Sequence, residues 1–146
     1  MTLSAKGRVE EEIRDAALCV FLREDGCFLV AELHDPVGGF VLHRPPGGGV
    51  EAGESPEQAI RREILEELDI ALKGIHSLGF MDHVWMWRGR VVRERAWIFT
   101  VPASDYAALP AQLVEANGTR APLLWRSRVE TDPALCPAGL IDLLIS

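Results

Sequence analysis

Residues 48–70 read GGVEAGESPEQAIRREILEELDI, a stretch that specifies a glycine-rich loop followed by the start of a helix. Ser55 is a good N-cap, Pro56 suits the first helical position, and Gln58 completes a capping box with Ser55. Apolar residues then recur at four-residue spacing and occupy an arc of roughly 80°. They are Ile60, Ile64 and Leu68. The stretch therefore predicts an amphipathic helix whose apolar stripe packs on the core.

A second face of the same helix is acidic. Glu63, Glu66 and Glu67 fall within an arc of roughly 100°. Arg62 can pair with Glu66 at i,i+4, but no basic residue lies three or four positions from Glu63 or Glu67. The helix alone leaves two interpretations open. The usual one is a solvated acidic face, and the other is a site for a hard divalent cation such as Mg²⁺ or Mn²⁺.

The glycines before the helix invite a comparison with phosphate-binding loops, because free N–H groups at a helix N-terminus bind anions. No GK[ST] follows the glycines, and no G-x-G-x-x-G opens a βαβ unit. Both nucleotide-loop interpretations are therefore set aside.

Outward from this stretch, short apolar runs alternate with turn residues, which predicts strands. A hairpin is expected over residues 15–32, with its tight turn at Asp25-Gly26. The other expected elements are a short strand at 40–44, a loop at 47–49, strand-like segments at 71–87 and 91–101 joined by a turn at 88–90, a helix around 106–115, a strand at 123–125 and a helix over 137–146. This order predicts an α/β fold in one domain spanning residues 1–146.

Composition narrows the functional classes. The chain has 146 residues, 48% hydrophobic and 25% charged, and its longest apolar run of seven residues is too short to span a bilayer. The net charge of −7 argues against a nucleic-acid polymer as partner. Cys19, Cys27 and Cys136 lack metal-binding spacing and suit reduced thiols in a cytoplasm, with Cys19 and Cys27 as core residues. Residues 1–15 show no apolar stretch after their charges, so we expect no secretory signal.

The stretch 48–70 resembles the Nudix box, G-x5-E-x7-R-E-U-x-E-E-x-G-U, where U is aliphatic. Eight of the nine specified positions match. The matching residues are Gly48, Glu54, Arg62, Glu63, Ile64, Glu66, Glu67 and Ile70. Asp69 replaces the box glycine, which closes the helix in a left-handed conformation; because aspartate tolerates that conformation, the change should cost stability rather than chemistry. The flanking "PPGGGVEAGES", and more weakly "LLW" and "CPAGLIDLL", are also similar to members of this family.

The resemblance implies a Nudix-like α/β/α sandwich with a central mixed β-sheet, and Mg²⁺- or Mn²⁺-dependent hydrolysis of a diphosphate linkage in a nucleoside diphosphate derivative. By position, it implies that Glu66 and Glu67 are metal ligands and that Glu63 is a ligand or the base that activates water. It also implies that Gly47 offers a backbone carbonyl to the metal. Arg62 is expected to pair with Glu54 and Glu66 and so to orient the loop and helix.

Many family members use one more acid outside the box. Glu94 could point at the site from its strand, although an exposed charge paired with a neighbouring arginine, Arg93 or Arg95, is the more usual interpretation. Three other acids remain open as candidates. They are Glu115, Glu51 and Asp82.

Substrate-binding candidates come from one aromatic and basic segment. Trp85 and Trp87 could stack on a base while Arg88 and Arg90 approach a phosphate. The tryptophans could equally pack a core or a dimer surface, so a homodimer stays open. The four histidines are scattered without ligand spacing, and we assign none of them a catalytic role.

Two alternatives to the hydrolase are considered. Isopentenyl diphosphate isomerase shares the fold but needs an acid/base cysteine in its own motif, and no cysteine here has a comparable setting. A non-catalytic Nudix-like module could sense a nucleotide or bind a protein, but such modules often lose box glutamates, and all are kept here.

Overall fold

The computed structural model describes residues 12–145. Most of the segment considered for a secretory signal lies outside that range. The strands are β1 (Ile13–Leu22), β2 (Phe28–His34), β3 (Val41–Arg44), β4 (Gly47–Gly49), β5 (His76–Trp87), β6 (Arg90–Pro102), β7 (Gln112–Val114), β8 (Arg120–Arg126) and β9 (Ala134–Leu135). The helices are α1 (Pro56–Leu68) and α2 (Leu140–Ile145), with a short 3-10 helix at Ala103–Asp105. Within 12–145, no helix is both long and apolar enough to cross a membrane.

The sheet is mixed. Its strands run in the order β5-β6-β1-β2-β3-β9, with β4 paired to β1 and β8 paired to β2. The β1–β6 and β3–β9 pairs are parallel, whereas the other pairs are antiparallel. One face packs on α1 and the other on α2, so the expected α/β/α sandwich is confirmed.

The central strand is β1, which is buried on both faces as expected for a strand between two helical layers. Alternate side chains enter the two cores because successive residues of a strand point to opposite sides. Ala17, Cys19 and Phe21 pack on the α1 side, and Leu18 and Val20 on the α2 side. Cys19 is therefore a core residue as predicted, whereas Cys27 is only half-buried beside the β1–β2 turn.

The predicted hairpin is present, with Gly26 in a left-handed conformation at φ 89° in its turn. The two strands pair only next to the turn, at Leu22 and Phe28, and then diverge. β1 continues along β6 and β4, while β2 continues along β3 and β8. This divergence opens the sheet beside β4.

The prediction of a loop at 47–49 is wrong, because these glycines form strand β4, which pairs with β1. Gly47 has a φ of 148°, and a Cβ there would lie 2.0 Å from the backbone oxygen of Ala17. Missing side chains therefore let this segment approach β1 closely enough to pair with it.

The prediction of a helix around 106–115 is also wrong. Pro110 lies inside that range, where it lacks a helical N–H and disfavours helical backbone at the preceding residue. The chain instead forms strand β7, which buries Leu113 and pairs with β8 across a turn containing Gly118. The strand predicted at 123–125 lies within β8, and the C-terminal helix is present as α2.

Candidate active site

Helix α1 begins and ends as its sequence predicts. Ser55 accepts a hydrogen bond from the Gln58 backbone N–H, and the Gln58 side chain accepts one from the Ser55 backbone, so the capping box is complete. At the other end, Asp69 adopts the left-handed conformation, φ 59° and ψ 39°, and its N–H donates to the Leu65 carbonyl. The box aspartate therefore takes the backbone geometry that the family glycine would supply.

Arg62 ties the helix to the segment before it. Its guanidinium donates to Glu54 from Nε at 2.7 Å and from Nη2 at 3.0 Å, and Nη2 also donates to the Gly49 carbonyl at 3.0 Å. Hydrogen bonding from Arg62 lowers the pKa of Glu54 to about 2. The expected partner Glu66 is contacted at 3.3 Å as well. Arg62 thus fixes the glycine strand and the helix in one orientation.

Glu63 also accepts a hydrogen bond from Arg62, at 2.9 Å. The expectation that Glu63 lacks a local basic partner is therefore wrong. The spacing rule considers only side chains one helical turn apart, but a long arginine can reach the carboxylate of its immediate neighbour. Among the described residues of the helix, Glu67 has no such cation, and its carboxyl group accepts a hydrogen bond from the Gly47 N–H at 3.2 Å.

The carboxyl groups of Glu63 and Glu67 are hydrogen-bonded to each other against the glycine strand. Burial raises the pKa of Glu67 to about 9, with further contributions from the negative charge of Glu63, from their mutual hydrogen bond and from Glu115. A Cβ at Gly48 would lie 2.6 Å from the Glu63 carboxyl carbon. Bare backbone at Gly48 therefore makes room for the Glu63 carboxyl group beside Glu67.

These donors suit a hard divalent cation, which prefers several carboxylate oxygens and can replace the shared proton. Among residues 12–145, no three acidic, histidine or cysteine side chains are already grouped as metal ligands. Glu66 explains part of this, because it is bonded to Arg62 and its side chain is 56% exposed. The structure thus presents a carboxyl pair beside the Gly47 backbone, with Glu66 turned toward Arg62.

A cavity of about 310 Å³ opens beside the carboxyl pair. Its lining brings together sequence candidates from distant segments, namely Gly47, Glu67, Trp85, Trp87, Glu94 and Glu115. Glu63, Glu66 and Arg62 are not part of this lining. A larger cavity of about 760 Å³ lies between the end of β1 and the 3-10 helix, and none of the predicted site residues lines it.

Glu94 is buried in the cavity wall, so the interpretation as an exposed charge paired with Arg93 or Arg95 is wrong. Its carboxylate accepts hydrogen bonds from Arg44 Nη2 at 2.8 and 2.9 Å and lies 2.7 Å from His83 Nε2. Burial raises the pKa of Glu94, but the His83 hydrogen bond and the Arg44 charge outweigh it and hold the pKa below its usual range. The oxygens of the Glu94 carboxylate are therefore already engaged by Arg44 and His83.

The tryptophans line the same cavity, with ring centroids 5.8 Å apart. The Arg44 guanidinium lies 4.6 Å from the Trp85 ring centroid, a cation–π contact that covers one face of that ring. The buried Nε1 of Trp85 has no hydrogen-bond partner in the described part of the chain.

Arg88 and Arg90 do not line the cavity. Arg88 lies in the β5–β6 turn at φ 54°, and its backbone N–H donates to the buried Asp35 carboxylate at 2.9 Å. Asp35 also accepts from the N–H groups of Val37 at 2.8 Å and Gly38 at 3.1 Å. We name this arrangement the Asp35 clasp, since one carboxylate joins the β2–β3 loop to the β5–β6 turn.

Sequence reasoning missed two residues of the site, Arg44 and His83. The alternation of β5 carried a signal for His83, because it lies on the same strand face as Trp85 and Trp87. No local signal identified Arg44, whose partner Glu94 is 50 residues away in the sequence.

Comparisons with known proteins agree with this geometry. The family model described as NUDIX domain matches residues 12–119. The nucleoside triphosphatase NudI of Salmonella arizonae is 40% identical over 70 residues, which are 46% of this chain and 50% of that protein. The chain thus spans about half the length of the curated relatives it matches.

Two solved structures are similar over nearly the whole chain. A MutT NUDIX hydrolase from Burkholderia pseudomallei is 25% identical with a TM-score of 0.63, covering 91% of this chain and 97% of that one. An Ap4A hydrolase from C. elegans, 20% identical with a TM-score of 0.60, covers 92% of this chain and 95% of the other and shows the shared fold. With the box residues assembled on α1 and the family model spanning most of the sequence, the chain belongs to the NUDIX domain family.

Proposed function

We propose that this protein is a Mg²⁺- or Mn²⁺-dependent hydrolase that cleaves a diphosphate linkage in a nucleotide or nucleoside diphosphate derivative. The observation that carries this proposal is the Glu63–Glu67 carboxyl pair, held against the glycine strand at the edge of a cavity. Two half-buried acids side by side are costly unless a proton or a cation lies between them. The name of the similar NudI protein supports a nucleotide substrate.

The metal would be held by Glu63, Glu66, Glu67 and the Gly47 carbonyl. When bound, it would screen the diphosphate charge and polarise the attacking water. Arg62 positions these ligands, because it donates hydrogen bonds to both the Gly49 carbonyl and the Glu63 carboxylate. The hydrogen bond from Arg62 also holds the Glu63 carboxylate in place, which suits a metal ligand or a base that accepts the water proton.

Glu115 is our proposal for the acid outside the box. It lines the same cavity as Glu67, and its negative charge contributes to the raised pKa of Glu67. Glu94 lines the cavity too, but a metal there would compete with Arg44 and His83 for its oxygens. These contacts favour Glu115 over Glu94.

For the base, we propose stacking on Trp87. Its ring lines the cavity, whereas one face of the Trp85 ring is covered by Arg44. The unpartnered Nε1 of Trp85 would then donate a hydrogen bond to the substrate. Replacing Trp87 with leucine should raise KM for a nucleotide more than for inorganic pyrophosphate, which has no base.

We also propose a cytoplasmic location and a homodimer. All three cysteines are unpaired thiols, which suits a reducing compartment. The edge hairpin β5–β6 exposes Phe80, Val84, Met86 and Val91, an apolar surface suited to a second copy. A Val84→Glu variant should shift the mass measured by light scattering from dimer to monomer; a monomeric parent protein would contradict the dimer.

The decisive test is a substrate panel with Mg²⁺ or Mn²⁺. The panel contains nucleoside triphosphates, nucleotide sugars, ADP-ribose, dinucleoside polyphosphates and non-nucleotide diphosphates. For any substrate that is cleaved, Glu67→Gln should lower kcat at least about 100-fold. The matched control is Glu57→Gln, which removes an exposed glutamate from the same helix and should leave kcat unchanged.

Two outcomes would contradict the proposal. If Glu67→Gln and Glu57→Gln had equal activity, the placement of the metal site would be wrong. If nothing in the panel were cleaved but nucleotides bound at equilibrium, the non-catalytic binding module would replace the hydrolase.

A further inference from the structure

Only two basic side chains are part of the cavity lining, Arg14 and Arg44. Arg44 is fully engaged, because it donates to Glu94, contacts the Cys136 sulfur at 3.3 Å and covers the Trp85 ring. It is also buried. A substrate phosphate could not take a hydrogen bond from Arg44 without breaking one of these contacts.

Arg14 differs from Arg44 in both its exposure and its contacts. It is exposed, and within residues 12–145 its side chain has no hydrogen bond or ion pair. Its cross-strand neighbour on β6 is Glu94, whose carboxylate is already occupied by Arg44 and His83. The acid beside Arg14 therefore leaves its guanidinium uncommitted.

The position of Arg14 on β1 places it next to the glycine strand. Ala16, two residues further along, pairs with Gly49, and the carbonyl of Asp15 accepts a hydrogen bond from Val50 at 2.9 Å. Arg14 thus lies beyond the Gly49 end of the glycine strand, whereas Gly47 pairs with Leu18, four residues further along β1. Arg14 therefore lines the same cavity as Glu67 from a different end of this strand.

Charge balance shows why a free cation matters here. Four acids line the cavity, and they are Asp15, Glu67, Glu94 and Glu115. Arg44 balances the charge of Glu94, and the pKa of Glu67 is raised to about 9, so the excess negative charge of the lining comes from Asp15 and Glu115. The whole chain carries a net charge of −7. A polyphosphate would therefore meet a repulsive surface unless cations faced it. A guanidinium is suited to this because it offers paired donors to phosphate oxygens.

We propose that Arg14 binds a phosphate group of the substrate and so contributes to its affinity. This inference rests on the proposed function, since it assigns a ligand contact within the same cavity. Arg14 contacts the substrate away from the Glu63–Glu67 carboxyl pair, so its loss raises KM and leaves kcat nearly unchanged.

The test compares Arg14→Gln with Arg128→Gln on a nucleotide that the parent protein hydrolyses. Arg128 lies against Gly26 in the β1–β2 turn, at the other end of β1, and does not line the cavity. Arg14→Gln should raise KM about tenfold with kcat within twofold. Arg128→Gln should match the parent protein, and Arg14→Lys should recover part of the lost affinity.

Calorimetry supplies a readout that does not need turnover. Metal-free protein should bind inorganic tripolyphosphate, and Arg14→Gln should weaken that binding about tenfold and reduce its dependence on salt. Equal binding by Arg14→Gln and Arg128→Gln would overturn the inference. A parent protein that binds tripolyphosphate through Arg14 but cleaves nothing would contradict the hydrolase and leave the Arg14 contact standing.

Discussion

At the scale of single residues, Glu67 has the most unusual environment. It is a carboxyl group that keeps its proton at neutral pH, because burial and the neighbouring Glu63 oppose its ionisation. Within residues 12–145, its N–H donor is the Gly47 backbone. Any cation that binds there must first release the proton, so metal affinity and pH are linked at this one side chain.

We predict that Mn²⁺ affinity rises with pH between about 6 and 9 and then levels off, because the pKa of Glu67 is raised to about 9. Calorimetry in two buffers of different ionisation enthalpy would measure the released proton. Binding without proton release across this range would contradict the prediction.

The same pKa sets the stability of the metal-free protein. The native state holds a proton that the unfolded chain loses near pH 4. The free energy of unfolding should therefore fall as pH rises from about 4 to about 9. Glu67→Gln, which carries no titratable group, should show a weaker decline in urea unfolding over this range.

At the scale of elements, α1 joins a complete N-terminal capping box to a strained C-terminus. Asp69 is one of two described non-glycine residues with positive φ. A left-handed backbone costs residues other than glycine roughly 1–2 kcal/mol, and aspartate somewhat less. The helix that carries the site is therefore less stable than the family sequence would make it.

Restoring the family residue tests this strain. Asp69→Gly should raise the free energy of unfolding by up to about 1 kcal/mol, whereas Asp69→Ala should lower it. Both values come from urea denaturation, and kcat should not change in either variant. A glycine variant less stable than the parent protein would show that the Asp69 side chain stabilises the turn.

Elements also show why some predictions held and others did not. Helix α1 was predictable because its cap, its apolar stripe and the Arg62–Glu54 pair all lie within one short stretch. Strand β7 was not, because it has only three residues and forms by pairing with β8 across a turn. Strand β4 was not either, because it exists only through pairing with the distant strand β1. Glu94 was misread for the same reason, since its partner Arg44 comes from another strand.

At the scale of the whole molecule, the Arg44–Glu94 pair joins distant parts of the chain. Arg44 on β3 reaches Glu94 on β6 and Cys136 near the C-terminus, and Glu94 in turn holds His83 on β5. Both charged groups are buried. Breaking such a pair leaves one charge without compensation inside the protein.

Arg44→Met should therefore lower the free energy of unfolding by about 3–5 kcal/mol. The double variant Arg44→Met/Glu94→Gln should recover much of that loss, because neither position of the pair then carries a charge. Arg95→Met is the matched control, since Arg95 pairs with the exposed Asp82 and its loss should cost at most about 1 kcal/mol. Chemical denaturation measures all three, and equal losses for Arg44→Met and Arg95→Met would contradict the prediction.

The Asp35 clasp has a consequence for the motion of the two segments it joins. Val37, Gly38 and Arg88 all donate to one carboxylate, so opening either segment releases amides in both. Burial raises the pKa of Asp35, but these three N–H groups outweigh it and hold the pKa below its usual range. The three amides should therefore exchange with deuterium as one cooperative unit, and acid that protonates Asp35 should lower the protection of all three together, once rates are corrected for the pH dependence of intrinsic exchange.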